Sequence, residues 1–167
     1  MIVLGIDPGL ASTGFGVVAR RGSRLVALDG GVVETAATTK PETRLGELHE
    51  AISELLREHA PDAVALESLY FGANARSAFA VGQARGVALL CAGQRGVSCF
   101  SYTPQQIKGA VCGSGSAPKE QVARMVAALL GLADVPASDH ASDALAVAAC
   151  HHNHAPLAGA LAAVASR

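Results

Sequence analysis

The sequence predicts an α/β fold, a central five-stranded mixed sheet flanked by helices. Five short runs rich in Val, Ile and Leu, at residues 2–7, 14–19, 24–35, 63–67 and 97–102, have the length and apolar character of strands. The stretches at 42–60, 74–94, 103–111, 117–131 and 139–150 read instead as helices. Half of the 167 residues are hydrophobic, many of them Ala and Val, and there is no Trp, which suits layers packed closely by small side chains. A chain of this length supports one domain with a sizeable core. That domain is expected to span residues 1–154, with 155–167 as an Ala-rich tail, helical or disordered.

The chain opens on an apolar run, Ile2 to Ile6, that ends on Asp7. Pro8-Gly9 then turns it into the second run, Gly14 to Ala19, making a hairpin. Burying a carboxylate without a partner costs several kcal/mol, so Asp7 either caps the turn before Pro8-Gly9 or binds a metal at the sheet edge. The third strand, 24–35, is expected to bulge at Gly30-Gly31. From Glu42 to Ala60, Leu45, Leu48, Ile52, Leu55 and Leu56 form an apolar stripe, and Glu47, Glu50, Glu54 and Glu58 lie off it. That is an amphipathic surface helix, ended by Pro61-Asp62. Residues 63–67 repeat the opening device, a short apolar strand ending on a carboxylate, Glu67. A right-handed crossover through the intervening helix makes this strand a parallel neighbour of the first, with both carboxylates at one rim.

Residues 68–73 form a loop holding Tyr70 and Phe71, two of only six aromatic residues. The helix 74–94 is apolar nearly all round and rich in Gly and Ala, so it is expected to serve both the core and a close subunit contact. After the fifth strand, Thr103-Pro104 is a helix start, with Thr103 as cap and Pro104 in the first turn, and this helix carries Lys108. Gly113 to Ser116 is a turn whose Ser116 can cap the next helix, which bears Lys119. Such a turn either holds a phosphate or is a plain loop. Residues 134–137 link to the last helix, where Asp139 is expected as N-cap. His140 and Asp143, three apart, share a face at the point where the helix meets the core. His151, His152 and His154 read as a solvated helix end.

Net charge is −1, but its distribution is uneven. Residues 29–67 carry nine acids and three bases; residues 68–133 carry six bases, among them Arg76, Lys108 and Lys119, and one acid. A basic middle of this kind is expected where one face meets a polyanion. The four cysteines form no CxxC pair and read as free thiols of a cytoplasmic protein. The start lacks a basic n-region and no apolar run is long enough to span a bilayer, so neither a signal peptide nor a membrane contact is expected.

Asp7, Glu67, His140 and Asp143 together make a donor set for two hard divalent cations. Two metals about 3.5–4 Å apart can activate a water and stabilise the leaving oxygen of a phosphodiester. That chemistry and the basic middle point to the same substrate, a nucleic-acid backbone.

The order of strands and helices, with acids after the first and fourth strands and on the last helix, resembles the ribonuclease H-like nucleases. Gly5-Ile-Asp7-Pro-Gly, Glu67 with an aromatic three residues on, Gln83-Ala-Arg-Gly86, Lys108, Gly113-x-Gly115-Ser116-Ala-x-Lys119 and Asp143-Ala-Leu-Ala resemble the RuvC family of bacterial Holliday-junction resolvases. The resemblance covers residues 2 to about 154. It implies Asp7, Glu67 and Asp143 as catalytic, metal-binding carboxylates, and puts His140 where many members carry an Asp. Imidazole is a softer ligand, which favours Mn²⁺ relative to Mg²⁺ and requires a neutral ring near a pKa of about 6.5. It further implies Lys108 and Lys119 as DNA contacts, Tyr70 with Phe71 as an aromatic wedge at the crossover, one of the two rings packing inward, and Arg76 beside them on DNA. The family's activity implies a homodimer that nicks four-way junction DNA in symmetric pairs, leaving 5′-phosphate and 3′-hydroxyl ends, in recombination and repair. It also implies the RuvA–RuvB branch-migration complex as partner. An actin-like ATPase would need a second domain and a second phosphate-binding glycine motif. A nuclease of RNA processing and a catalytically inactive junction-binding module are the remaining alternatives.

Overall fold

The computed structural model describes residues 1–68 and 75–165, the latter with main chain only at 75–77 and 156–165. Tyr70 and Phe71 lie outside the described residues, as does the side chain of Arg76. The elements run β1 (Ile2–Asp7), β2 (Ser12–Arg21), β3 (Arg24–Glu34), α1 (Pro41–His59), β4 (Ala63–Glu67), α2 (Ala75–Gln94), β5 (Ser98–Tyr102), α3 (Pro104–Cys112), α4 (Lys119–Leu130) and α5 (Asp139–Ala165). The sheet order is β3-β2-β1-β4-β5, with the first three strands antiparallel and β4 and β5 parallel to β1. This is the five-stranded mixed sheet of a ribonuclease H-like fold.

Strand alternation assigns every second side chain to one of two layers. Leu4, Ile6, Val17, Val64 and Leu66 face α1 and α2, where Leu48, Ile52, Leu55 and Leu56 supply the stripe read in the sequence. Val3, Val18, Ala65 and Tyr102 face the other way, into a core with α3, α4 and α5. Asp7 and Glu67 fall on the α5 side by the same alternation.

α5 lies between the sheet and the α3–α4 pair, and residues 144–152 are all buried. Its approach to the sheet is set by three glycines, Gly5 of β1 and Gly14 and Gly16 of β2. A Cβ on Gly5 would lie 2.0 Å from the Ala144 carbonyl oxygen, and one on Gly14 2.0 Å from that of His140. At Gly16 a Cβ would meet the Leu145 side chain at 2.7 Å. The first turns of α5 therefore rest on bare backbone, which no larger residue permits.

Several local expectations are corrected. The β2–β3 register shifts between Val17 and Val18, which leaves Leu28 as the extra residue; Gly30 and Gly31 pair regularly with Gly16 and Phe15. Gly31 instead makes room for the Phe15 ring, which a Cβ there would meet at 3.0 Å. Ser116 does not cap α4: Pro118 holds that position, and the Ser116 hydroxyl pairs with Ser114. Asp139 is the first helical residue of α5 and not its cap, since the Ser138 carbonyl accepts the first intrahelical bond, from the Ser142 N–H. The backbone of α5 continues well past Cys150, as one helix to Ala165. The capping box predicted by Thr103-Pro104 is present, with Thr103 and Gln106 exchanging bonds.

His151 and His152 are buried, not solvated, because α5 is enclosed on all sides where they sit. The Tyr102 hydroxyl and His151 Nδ1 are 2.7 Å apart, and His152 Nε2 bonds the Val18 carbonyl at 3.0 Å. Burial holds both imidazoles below their ordinary pKa and pushes the Tyr102 phenol up to about 12. A His with a depressed folded pKa contributes stability above its unfolded pKa of about 6.5 and loses it as pH falls through the folded value. The denaturation midpoint is therefore expected to drop between pH 7.5 and pH 5.5. His151→Asn should shrink that drop, as read in urea titrations at the two pH values.

Candidate active site

β1 and β4 are parallel neighbours in the register Ile6 to Leu66, so the next residues, Asp7 and Glu67, stand side by side where the strands end. The turn after Asp7 is closed by Thr13 and not by Asp7 itself. The buried Thr13 hydroxyl donates to the Gly9 carbonyl at 2.6 Å and accepts from the Gly9 N–H at 3.3 Å. Thr13→Val keeps the shape and strands both Gly9 groups, a cost of about 1–3 kcal/mol. At roughly 2–4 °C per kcal/mol for a chain of this size, the melting temperature should fall by several degrees in a calorimetric scan.

With the turn held by Thr13, the Asp7 carboxylate is free to reach across to α5, where His140 Nδ1 lies 2.7 Å from its Oδ2. The end of β4 is held from α2. The Arg85 guanidinium donates to the Glu67 carbonyl at 2.8 Å and also bonds Ser101. Arg85 stood in the sequence within the family-like stretch Gln83-Ala-Arg-Gly86 with no role attached; its job is to fix the main chain that carries Glu67.

Asp143 follows one turn after His140 and faces a cleft of about 220 Å³ that it lines with Glu67, Lys108 and Lys119. Lys119, the first residue of α4, sits 3.4 Å from Asp143 and 3.2 Å from Asp139. Burial raises the Glu67 carboxyl above the usual carboxylate range, and the charges of Asp7 and Asp143 add to it, against opposition from Lys108 and Lys119. Asp143 is raised as well, first by burial, with Lys119 lowering it and Asp7 raising it. The two lysines thus offset only part of the repulsion among three converging carboxylates.

All four donors expected from the sequence therefore converge: Asp7 and Glu67 from the strand ends, His140 and Asp143 from α5. Among the described residues, no three His, Cys, Asp or Glu side chains enclose a metal position as they stand. Asp7 is engaged by His140 and Asp143 by Lys119, while the carboxylates repel one another. The donor chemistry nonetheless fits hard divalent cations, which would relieve the repulsion that burial imposes on Glu67 and Asp143. Lys108 and Lys119 share the cleft, and the glycines that let α5 approach were the feature that sequence reading missed. Their signal was there, Gly14 and Gly16 two apart on one strand and Gly5 on its neighbour.

The model of the family described as crossover junction endodeoxyribonuclease RuvC matches residues 3–151. A protein of that name from Trichlorobacter lovleyi is 51% identical over 153 residues, covering 92% of this chain and 85% of the relative. The structure of Thermus thermophilus RuvC superposes with a TM-score of 0.87 at 40% identity, over 95% of this chain and 97% of that one. A second structure, T. thermophilus RuvC in complex with a Holliday junction substrate, gives a TM-score of 0.87 at 38% identity, over 94% and 96% of the two chains. With a match across nearly its whole globular part and the same sheet beneath the same helices, the chain belongs to the crossover junction endodeoxyribonuclease RuvC family.

Proposed function

We propose that the chain resolves four-way (Holliday) DNA junctions by paired, symmetric, metal-dependent hydrolysis of phosphodiesters, in recombination and repair. The observation that carries this reading is that Glu67 and Asp143 line one cleft with Lys108 and Lys119, while Asp7, beside Glu67 at the strand ends, pairs with His140 one turn before Asp143. Carboxylates there have no reason to gather against their own repulsion unless cations join them. Asp7, Glu67, His140 and Asp143 would hold two divalent ions per subunit, Mg²⁺ or Mn²⁺, with the imidazole favouring Mn²⁺. When bound, such ions would supply an activated water and charge stabilisation for the leaving 3′ oxygen, consistent with 5′-phosphate and 3′-hydroxyl products. Lys108 and Lys119 would grip phosphates beside the scissile one. Tyr70, Phe71 and Arg76 are assigned to the junction as well, the aromatic pair for stacking on an unpaired base.

Symmetric nicking of a two-fold junction calls for a C2 dimer. α2 offers a matching face. Phe79, Leu89 and Leu90 are exposed, and Gly82, Gly86 and Gly93 have open space where a Cβ would be. At 100° per residue these six occupy a single arc of the helix, opposite the buried Ala84, Ala88 and Cys91. A partner helix could approach closely there. The RuvA–RuvB branch-migration complex is the proposed partner on DNA, and the cytoplasm the proposed location; no described helix is long and apolar enough to cross a membrane.

The test is cleavage of a synthetic four-way DNA junction against a matched duplex and a matched RNA duplex, under Mg²⁺ and under Mn²⁺, with Asp7→Asn as control. Paired nicks in the junction alone, lost in the variant, are expected. Cutting of RNA, or equal cutting by Asp7→Asn, would overturn the reading.

A further inference from the structure

Lys119 is the one cleft lysine that is already engaged. Its ammonium bridges two carboxylates one turn apart on α5, at 3.2 Å from Asp139 Oδ2 and 3.4 Å from Asp143 Oδ2. Lys108 lines the same cleft and forms no ion pair among the described residues. The two lysines therefore enter DNA binding from different starting points. A lysine bridging two acids has little charge left to offer a phosphate, whereas an unpaired one offers all of it.

The bridge also stands in the way of a metal. An ammonium beside Asp143 Oδ2 and a divalent ion on the same carboxylate repel one another strongly. Nor is the bridge strong. The Asp139 side chain is 77% exposed and that of Lys119 53%, so the pair is screened and worth only a few-fold in an equilibrium constant. Burial would by itself lower the Lys119 pKa, but its bond to Asp139 and the charge of Asp143 outweigh that, so the group stays an ammonium.

We infer that Lys119 is a displaceable counter-ion of the metal site. Without divalent ions it neutralises Asp143 and Asp139, and when an ion occupies Asp143 it is released to a DNA phosphate. Metal and junction binding are then coupled through this one side chain, and by linkage each tightens the other by the same factor. Asp139 is a positioning residue in this scheme: it keeps Lys119 beside the cleft once Asp143 is taken, and is not itself a metal ligand. The inference rests on the reading of Asp143 as a metal ligand and of the cleft as a DNA site.

Two measurements test it on the full chain. In the first, Mn²⁺ is titrated calorimetrically into the DNA-free protein. Lys119→Gln should tighten Mn²⁺ binding by roughly three- to tenfold, because no ammonium has to be displaced. Asp143→Asn should weaken it severely, and Asp139→Asn should leave it within about twofold. In the second, junction affinity is read by fluorescence anisotropy in chelator and in Mn²⁺, with every protein carrying Glu67→Gln to block cleavage and Mn²⁺ raised to the level that its own calorimetric titration shows to saturate that background. Lys119→Gln should cost about twofold or less in chelator and roughly tenfold in Mn²⁺, with the salt slope falling by about one only in Mn²⁺. Lys108→Gln should cost the same factor in both.

If Lys119→Gln leaves Mn²⁺ affinity unchanged while Asp143→Asn abolishes binding, or if it costs the same with and without metal, the counter-ion role is wrong and the metal site stands. A marked loss of Mn²⁺ affinity in Asp139→Asn would make Asp139 a ligand and overturn its positioning role. If Mn²⁺ does not bind, or binds regardless of Asp143→Asn, the metal site itself falls and the inference with it.

Discussion

Glu67→Gln is expected to remove junction cleavage and, in the same protein, to raise the melting temperature of the metal-free chain. Both effects come from one property of the site. The Glu67 carboxyl is raised by burial and by the charges of Asp7 and Asp143, so its ionised form is held at a cost. A carboxylate with a raised folded pKa contributes stability below its unfolded pKa and loses it as pH rises through the folded value. Above that value the contribution is gone and the repulsion remains. Gln fills the same space without the charge. The expected gain is about 1 kcal/mol, or roughly 2–4 °C, where a typical substitution destabilises by about that much.

Activity should fall by at least roughly 10²–10³-fold, the loss that follows removal of one electrostatic partner of a developing charge. Added divalent ions should then separate the two proteins. At 100 times its dissociation constant a bound ion stabilises the wild-type chain by about 2.7 kcal/mol, and Glu67→Gln should gain clearly less. Scanning calorimetry in chelator and in Mg²⁺ reads all of this. A variant less stable than wild type in chelator, with an equal metal response, would remove Glu67 from the proposed donor set.

The second large effect is expected from a single methyl group. Gly14→Ala would put a Cβ 2.0 Å from the carbonyl oxygen of His140, a backbone atom in the first turn of α5. Nothing flexible can yield there, so either the helix moves or the chain fails to fold. Overpacking of this kind costs typically 1–3 kcal/mol and sometimes more, and contact with fixed backbone places Gly14→Ala at the upper end. A helix start displaced by even 1 Å carries His140 away from Asp7 and Asp143 away from Glu67. Misplacement on that scale costs on the order of 10²-fold in rate. Gly86→Ala, where a Cβ meets nothing within 4 Å in the described chain, is the matched control for monomer stability. The pair should differ by well over 2 kcal/mol in urea denaturation.

Much of the fold was legible because strands and amphipathic helices write their burial into the sequence. Ile2 to Asp7 and Ala63 to Glu67 alternate between the two layers and end on the charge, and the 41–59 helix shows its stripe at Leu48, Ile52, Leu55 and Leu56. What failed did so for want of contrast or of a partner. α5 is rich in Ala and enclosed all round from 144 to 152, so that stretch has no polar face to mark where burial stops; His151 and His152 were therefore read as its wet end. The bulge is a property of pairing between strands, and only the register against Val17 and Val18 shows that Leu28 is the surplus residue. Asp139 has the identity of a helix cap, but its carboxylate is drawn forward to Lys119 on another helix, which local sequence does not reveal. The candidate site was legible in its acids and His140 and illegible in its supports, Thr13, Arg85 and the glycine cradle, whose partners lie on other turns or elements.

α5 follows every other described element, and it carries two of the four proposed donors while covering Gly5, Gly14 and Gly16 of β1 and β2. Synthesis runs from the amino end, so Asp7 and Glu67 leave the ribosome long before His140 and Asp143. Until the final helix docks, the nuclease has half a site on an uncovered sheet. A copy whose α5 has not docked would lack half of the proposed donor set: docking of this helix at once completes the core and assembles the site proposed for cleavage.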